Sequence, residues 1–140
     1  MTKTPEGERD PVEAMLAADA ASRSLGMELL DHGPGHARLR MKIGPDMVNG
    51  HGVAHGGYVF TLADSAFACA CNSHGPVTLA ATAEIDFLAP AHEGDLLTAT
   101  AVERTRWGRN GIYDVRVTRG DQVIAEFRGR SRTLRGEAAK

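Results

Sequence analysis

A chain of 140 residues, 42% hydrophobic and 24% charged, is long enough to bury a core of its own without disulfides or a structural metal. Its formal net charge of −2 supplies no global attraction to nucleic acid or to an anionic membrane, so neither is expected as a partner. The opening MTKTPEGERD lacks the apolar run of a secretory signal and no segment is apolar for long enough to span a bilayer, which makes the expected location cytoplasmic.

Residues 1–9 are polar, contain Pro5 and Gly7, and are expected to form a flexible tail, as are residues 136–140. Between them, residues 10–135 are expected to form a single domain. Asp10-Pro11 followed by VEAMLAADAASRSL reads as one helix, with Asp10 as N-cap, Pro11 as its first residue and Gly26 just past its end. Residues 27–44 predict a hairpin turning at Gly33-Pro34-Gly35, and its second arm, HARLRMKI, alternates apolar and polar residues.

The Gly-rich stretch MVNGHGVAHGG leads into the most apolar segment of the chain. From Tyr58 to Cys71, 11 of 14 residues are apolar, which predicts a buried helix beginning near Gly56 and ending at Asn72-Ser73 and Gly75. Cys69 and Cys71 are two apart on that helix, point to different faces and cannot pair with each other. Beyond it, period-2 alternation returns. Ala81, Ala83, Ile85 and Phe87 share one face, as do Tyr113, Val115 and Val117, and then Val123, Ala125 and Phe127. The short connections at 93–95, 107–110 and 119–122 predict antiparallel neighbours. The fold class is therefore α+β, an antiparallel sheet wrapped around one helix.

Gly56 and Gly57 open the helix with backbone N–H groups that no Cβ covers, at the positive end of the helix dipole, where an anion or a developing oxyanion is stabilised. Asp64 is a carboxylate inside the apolar helix, and no Arg or Lys occurs between Lys42 and Arg104 to pair with it locally. That pattern points to a catalytic carboxylate whose basicity burial raises. Asn49, His51 and His55 in the preceding loop supply an amide and imidazoles able to orient a carbonyl or a water. The four-residue spacing of His51 and His55 suggests a metal with Asp64 as third ligand, but a Gly-rich loop is not helical and the glutamate of HExxH is missing. No metal or cofactor is expected. There is no G-x-S-x-G elbow, P-loop or dinucleotide fingerprint. Tyr58, Phe60 and Phe67, with the small Ala63 and Ala66, suit a flat aryl group near the cleft or simply a packed core. Ten of the 16 basic residues fall between Arg104 and Lys140; Arg104, Arg106, Arg109, Arg128, Arg130 and Arg132 among them read as phosphate ligands or as the solvated faces of strands.

Taken together, Asn49-Gly50-His51, His55-Gly56-Gly57, Phe60, Leu62-Ala63-Asp64, Ala66-Phe67-Ala68 and Ala70-Cys71-Asn72-Ser73 form a motif that resembles the hotdog-fold acyl-CoA thioesterases of the phenylacetic acid degradation type. Further similarity lies in IDFLAP, YDV and FRGRS, so that it covers about residues 15–135. The resemblance implies a hotdog fold, homodimers that join their sheets, often a dimer of dimers, and hydrolysis of acyl-CoA, typically aryl-acetyl-CoA. It implies Asp64 as the catalytic carboxylate and the N–H of Gly56, in His55-Gly56-Gly57, as the group that polarises the thioester carbonyl. It further implies Asn49 as the residue positioning the attacking group, Ser65 as the small hydroxyl beside the carboxylate, and Arg109, Asn110 and Arg130 as contacts to CoA. A hotdog acyl-thioester hydratase or dehydratase and a non-catalytic acyl-CoA binding protein are the alternatives. Gly56 and Asp64 lie eight residues apart, about 12 Å along a helix, too far for one chain to bring both to the same carbonyl. Active sites shared between two chains are expected.

Overall fold

A computed structural model describes residues 10–135; the tails expected at 1–9 and 136–140 lie outside the described residues. The first helical region begins as its sequence dictates. Asp10 accepts the N–H groups of Val12 (2.9 Å) and Glu13 (3.0 Å), with Pro11 in the first turn. The single helix expected here is in fact two, α1 (Pro11–Ala18) and α2 (Ala20–Ser24). The break is Asp19, whose backbone is extended and whose carboxylate caps α2 by accepting the Ser22 N–H (2.9 Å). An Asp side chain competes with the helix for backbone N–H groups, and here it wins. α2 then closes at Gly26 (φ +72°), with Met27 N–H bonded to the Ser22 carbonyl and Gly26 N–H to that of Arg23.

β1 (Glu28–Gly33) and β2 (His36–Lys42) form the expected hairpin, and a 3-10 turn (Pro45–Met47) follows. The central helix α3 spans Gly56–Asn72, as the apolar run requires. β3 (Thr78–Phe87), β4 (Leu96–Trp107), β5 (Asn110–Arg119) and β6 (Gln122–Thr133) complete one antiparallel sheet in the order β1-β2-β4-β5-β6-β3. The sheet curls around α3, which packs against β2, β4 and β5 on one flank and β3 and β6 on the other. Leu62, Ala66 and Phe67 of α3 meet Leu39, Leu97, Ala99, Val115 and Phe127 in a core with almost no exposure. Small residues let the sheet close in: a Cβ at Gly129 of β6 would lie 2.7 Å from the Phe67 ring.

Three expectations need correction. The connection at 93–95 does not join neighbours, because β3 lies at the edge beside β6 while β4 pairs with β2 and β5. Residues 88–95 instead cross the end of the sheet, held by hydrogen bonds to Ile43, Ala54 and Ile124. Second, Ala81, Ala83 and Phe87 of β3 are exposed, since nothing among the described residues covers the edge strand's apolar face. Third, a bulge puts Ile124, not Val123, into the core, and the Ile124 carbonyl accepts the N–H groups of Leu88 and Ala89.

Candidate active site

Residues 48–55 form a tight loop that Asn49 organises. Its Oδ1 accepts the N–H groups of His51 (2.8 Å) and Val53 (3.1 Å), and its own N–H donates to the Val53 carbonyl (2.8 Å). Gly52, at φ +75°, allows the chain to reverse inside this ring. The far side is clipped down by the Ala54 N–H to the Ala91 carbonyl and by the His55 N–H to that of Met47, both at 2.7 Å. Asn49 is exposed, and with its amide oxygen taken up by the loop, its amide N–H groups are the part free to meet a substrate.

The loop delivers the chain to the start of α3 at a fixed angle. His55 is the N-cap residue, extended (φ −61°, ψ 132°), and its exposed imidazole makes no capping bond. Gly56 and Gly57 therefore present N–H groups with no acceptor among the described residues, and no acidic side chain occupies the first turn. Such a terminus concentrates positive potential without a counter-charge. Gly56 is a glycine for a steric reason the sequence does not reveal. A Cβ there would stand 2.9 Å from Cζ of Phe87, whose ring leans over the helix start. Around that ring opens a cavity of about 470 Å³, lined by Val53, Val59, Phe87, Leu88, Pro90 and Ile124, with Gly56 on its rim. Of the aromatic residues that the sequence leaves open between cleft and core, Phe67 is core, packed on Tyr113 and Phe127. Phe60 packs edge-on to Phe127 at 5.4 Å. The apolar wall comes from the end of β3 and the crossover, which local periodicity could not place.

Asp64, two turns further along α3, is half-buried and has no hydrogen bond or ion pair among the described residues. Burial raises its pKa above the usual carboxylate range, and the negative charge of Asp19 raises it further. Ser65, next to it, is buried and turned away toward α2, its hydroxyl 2.7 Å from that of Ser22. A raised carboxylate and an anion-ready helix terminus are the two groups acyl transfer needs, one to attack or to activate water and one to hold the oxyanion.

The expected CoA contacts divide between two places. Arg109 and Asn110, in the β4–β5 turn, line a small cavity of about 90 Å³ near the C-terminal end of α3. Arg130, on β6, lines a separate groove with Thr82 and Ile112. Neither arginine has an acidic partner among the described residues. Partial desolvation, then the nearby Arg135 and Arg132 charges, lower the Arg109 pKa. Arg104 and Arg128, by contrast, both bind Asp114 at 2.6 Å, and the Arg128 contact foremost pulls that carboxyl down to about 2. These two arginines brace the outer face of the sheet.

The thioesterase superfamily description matches residues 51–126, from within the loop to the start of β6. Over 130 residues the chain is 42% identical to acyl-coenzyme A thioesterase PaaI of Escherichia coli (strain K12), covering 89% of this chain and 93% of that one. It is 31% identical to human acyl-coenzyme A thioesterase 13, covering 72% and 74%. The solved structure of the E. coli PaaI protein, from the phenylacetic acid degradation operon, superposes with a TM-score of 0.88 at 40% identity, covering 90% of this chain and 92% of that one. The helix wrapped by its six-stranded sheet is the hotdog fold. With α3, β3, β4 and β5 inside the matched region and a 42% identical acyl-CoA thioesterase covered over most of its length, the chain belongs to the thioesterase superfamily.

Proposed function

We propose that this protein hydrolyses acyl-CoA thioesters, aryl-acetyl-CoA among them, at sites shared between two copies of the chain. The observation that carries the reading is the pairing of an unsatisfied α3 N-terminus beside an apolar cavity with an unpartnered carboxylate on the same helix. The thioester oxygen accepts the Gly56 N–H, assisted by Gly57, while the acyl group lies against Phe87 and Leu88. Asn49 and His55 flank the reacting centre and position the attacking group. Asp64 either attacks the carbonyl carbon or takes the proton of the attacking water; both roles need it ionised. The thiolate of CoA leaves and is protonated; water attack releases the carboxylic acid directly, whereas attack by Asp64 leaves a mixed anhydride that water then cleaves to the acid and free Asp64.

Helix geometry supports the two-chain site. α3 begins at Gly56, so Asp64 is about 12 Å along it, and a two-fold axis would set Gly56 of one copy against Asp64 of the other. The β3 edge supports it too: Leu79 and Phe87 are each 54% exposed on a strand with one unpaired backbone edge, a ready surface for a second copy. In that arrangement the β4–β5 turn of one copy, at the far end of its own α3, comes near the site of the other, where Arg109, Asn110 and Arg130 meet CoA. A dimer of dimers and a cytoplasmic location complete the reading.

Thiol release from an acyl-CoA panel, followed with a thiol-trapping dye, tests it. Cys69 and Cys71 are buried, with thiols pushed up to about 12, and should not consume the dye, which a substrate-free control checks. Phenylacetyl-CoA should be cleaved with higher kcat/KM than palmitoyl-CoA; the reverse order would remove the aryl preference. Refolding Asp64→Ala chains together with Gly56→Pro chains should restore activity well above either parent. If both parents are folded, exchanging dimers and the mixture stays inactive, the shared site is wrong.

A further inference from the structure

Asp19, the residue that divides α1 from α2, spends both carboxylate oxygens on one partner. Oδ1 accepts the Ser22 N–H at 2.9 Å and Oδ2 accepts the Ser22 hydroxyl at 2.6 Å. The Ser22 oxygen in turn lies 2.7 Å from the Ser65 hydroxyl. A carboxylate only accepts, so the Ser22 proton points to Asp19 and Ser22 must accept from Ser65. The polarity of the chain is fixed: Ser65 donates to Ser22, and Ser22 donates to Asp19. Ser22 and Ser65 are 2% and 7% exposed, so water does not compete for these bonds.

This arrangement is more than a packing contact between α2 and α3. Two buried hydroxyls ending on a carboxylate with no cation partner among the described residues are a costly way to join two helices, since apolar residues of the same shape would do it at least as well. Its position explains it. Ser65 is the neighbour of Asp64, and its proton is directed away from Asp64, which leaves that carboxylate without a donor to stabilise its charge. Several other titratable groups on elements packed against α3 are occupied elsewhere. Asp10 and Glu13 of α1 face His32 of β1, Glu103 of β4 binds His74 and Tyr113, and Cys69 and Cys71 are neutral thiols. Among the described residues, Asp19 is the group whose charge bears on Asp64.

We propose that Asp19 is a positioning residue of the hydrolase: through Ser22 and Ser65 it fixes the α3 turn that carries Asp64, and it brings a second negative charge to that side of the helix. The inference rests on the hydrolytic reading of the site. A more basic carboxylate is a better nucleophile or general base at neutral pH, provided it stays largely ionised there.

The experiment compares wild type, Asp19→Asn, Asp19→Glu and Ser22→Ala in two measurements: carbon-13 NMR titration of the Asp64 carboxyl, and the pH profile of thiol release from phenylacetyl-CoA. Asp19→Asn removes the charge and keeps the side-chain shape. The Asp64 titration and the acidic limb of kcat/KM should both move down, as removal of a nearby like charge requires. Asp19→Glu retains the charge and should leave both unmoved. Ser22→Ala cuts the link and keeps the charge, so kcat should fall about tenfold through misplacement of Asp64 at an unchanged limb. Hydrolysis with the same limb in Asp19→Asn as in wild type overturns the assignment of Asp19 alone. An Asp64 shift in Asp19→Asn, with no thiol release from any acyl-CoA by the wild type, overturns the hydrolytic reading and leaves the influence of Asp19 on Asp64 standing. Should Asp19→Asn not fold, Ser22→Ala decides: undiminished kcat overturns the positioning role.

Discussion

The two ends of α3 are built on opposite terms. At its C-terminal end the side chains of Asn72, Ser73 and His74 are all engaged. The Asn72 amide donates to the carbonyls of Ala68 (2.8 Å) and Thr78 (3.0 Å) and accepts the Thr78 N–H (2.9 Å). The Ser73 hydroxyl accepts the Gly35 N–H, and Glu103 is shared between His74 and Tyr113 at 2.7 Å each. At the N-terminal end, two glycine N–H groups have no acceptor among the described residues, the cap residue contributes no side chain, and Asp64 has neither cation nor donor. One end anchors the helix in its sheet, so that the other can be left unsatisfied for a substrate to complete. An unsatisfied polar group destabilises the free protein and strengthens what it later binds.

The largest effect should come from the open end. Asp64→Asn keeps the shape of the side chain and removes its ability to attack or accept a proton, so kcat should fall by about 10²–10⁴-fold. Binding of a non-hydrolysable acyl-CoA thioether, measured by calorimetry, should survive. Near-wild-type turnover would take Asp64 out of the chemistry and erase the contrast between the two ends.

The closed end should respond in the opposite currency. Asn72→Ala leaves the buried N–H and carbonyl of Thr78 without their partner, at a cost of about 2 kcal/mol or more. Urea denaturation should show that loss, while kcat/KM at a temperature where the variant is folded stays within about threefold of wild type. A kcat/KM loss as large as that of Asp64→Asn would mean the ends are not separable.

The same contrast governs what could be read from residues alone. α3 was legible end to end because 11 of the 14 residues from Tyr58 to Cys71 are apolar, and Asp64 was conspicuous because nothing nearby could neutralise it. Glycines before the helix signalled an open terminus. What the sequence hid is what depends on distant partners. Phe87 alternates like any strand residue, and only the wrapping of the sheet brings its ring over Gly56. The edge position of β3 follows from the crossover at 88–95, whose length is that of an ordinary connection. Asp19 followed three residues later by Ser22 is a helix-start signal, masked by the alanines on both sides. The bulge at Ile124 moves one residue from face to face and leaves no mark in the alternation.

The smallest effect is the most specific test of how the open end is held. Burial first, and the Asp19 charge second, raise the pKa of Asp64 above that of an unfolded carboxylate. Between those two values the folded chain binds more protons than the unfolded one, so stability falls as pH rises through this window. Whatever the protonated carboxyl contributes is fully present below the unfolded value and lost once pH exceeds the folded one. Asn carries no such charge at any pH. Asp64→Asn should therefore be more stable than wild type at pH 7–8 and lose that advantage as pH drops toward 4. The gain is small, since Asp64 is only half-buried and water screens part of its charge. Urea midpoints for both proteins across this range give the comparison, and a variant less stable than wild type at pH 8 would mean that the ionised carboxylate has a partner in the assembled protein. Such a result would move Asp64 from the unsatisfied end of the helix to the satisfied one. It would also predict a carboxylate too well stabilised to serve as a base, which the acidic limb of the rate profile would report independently.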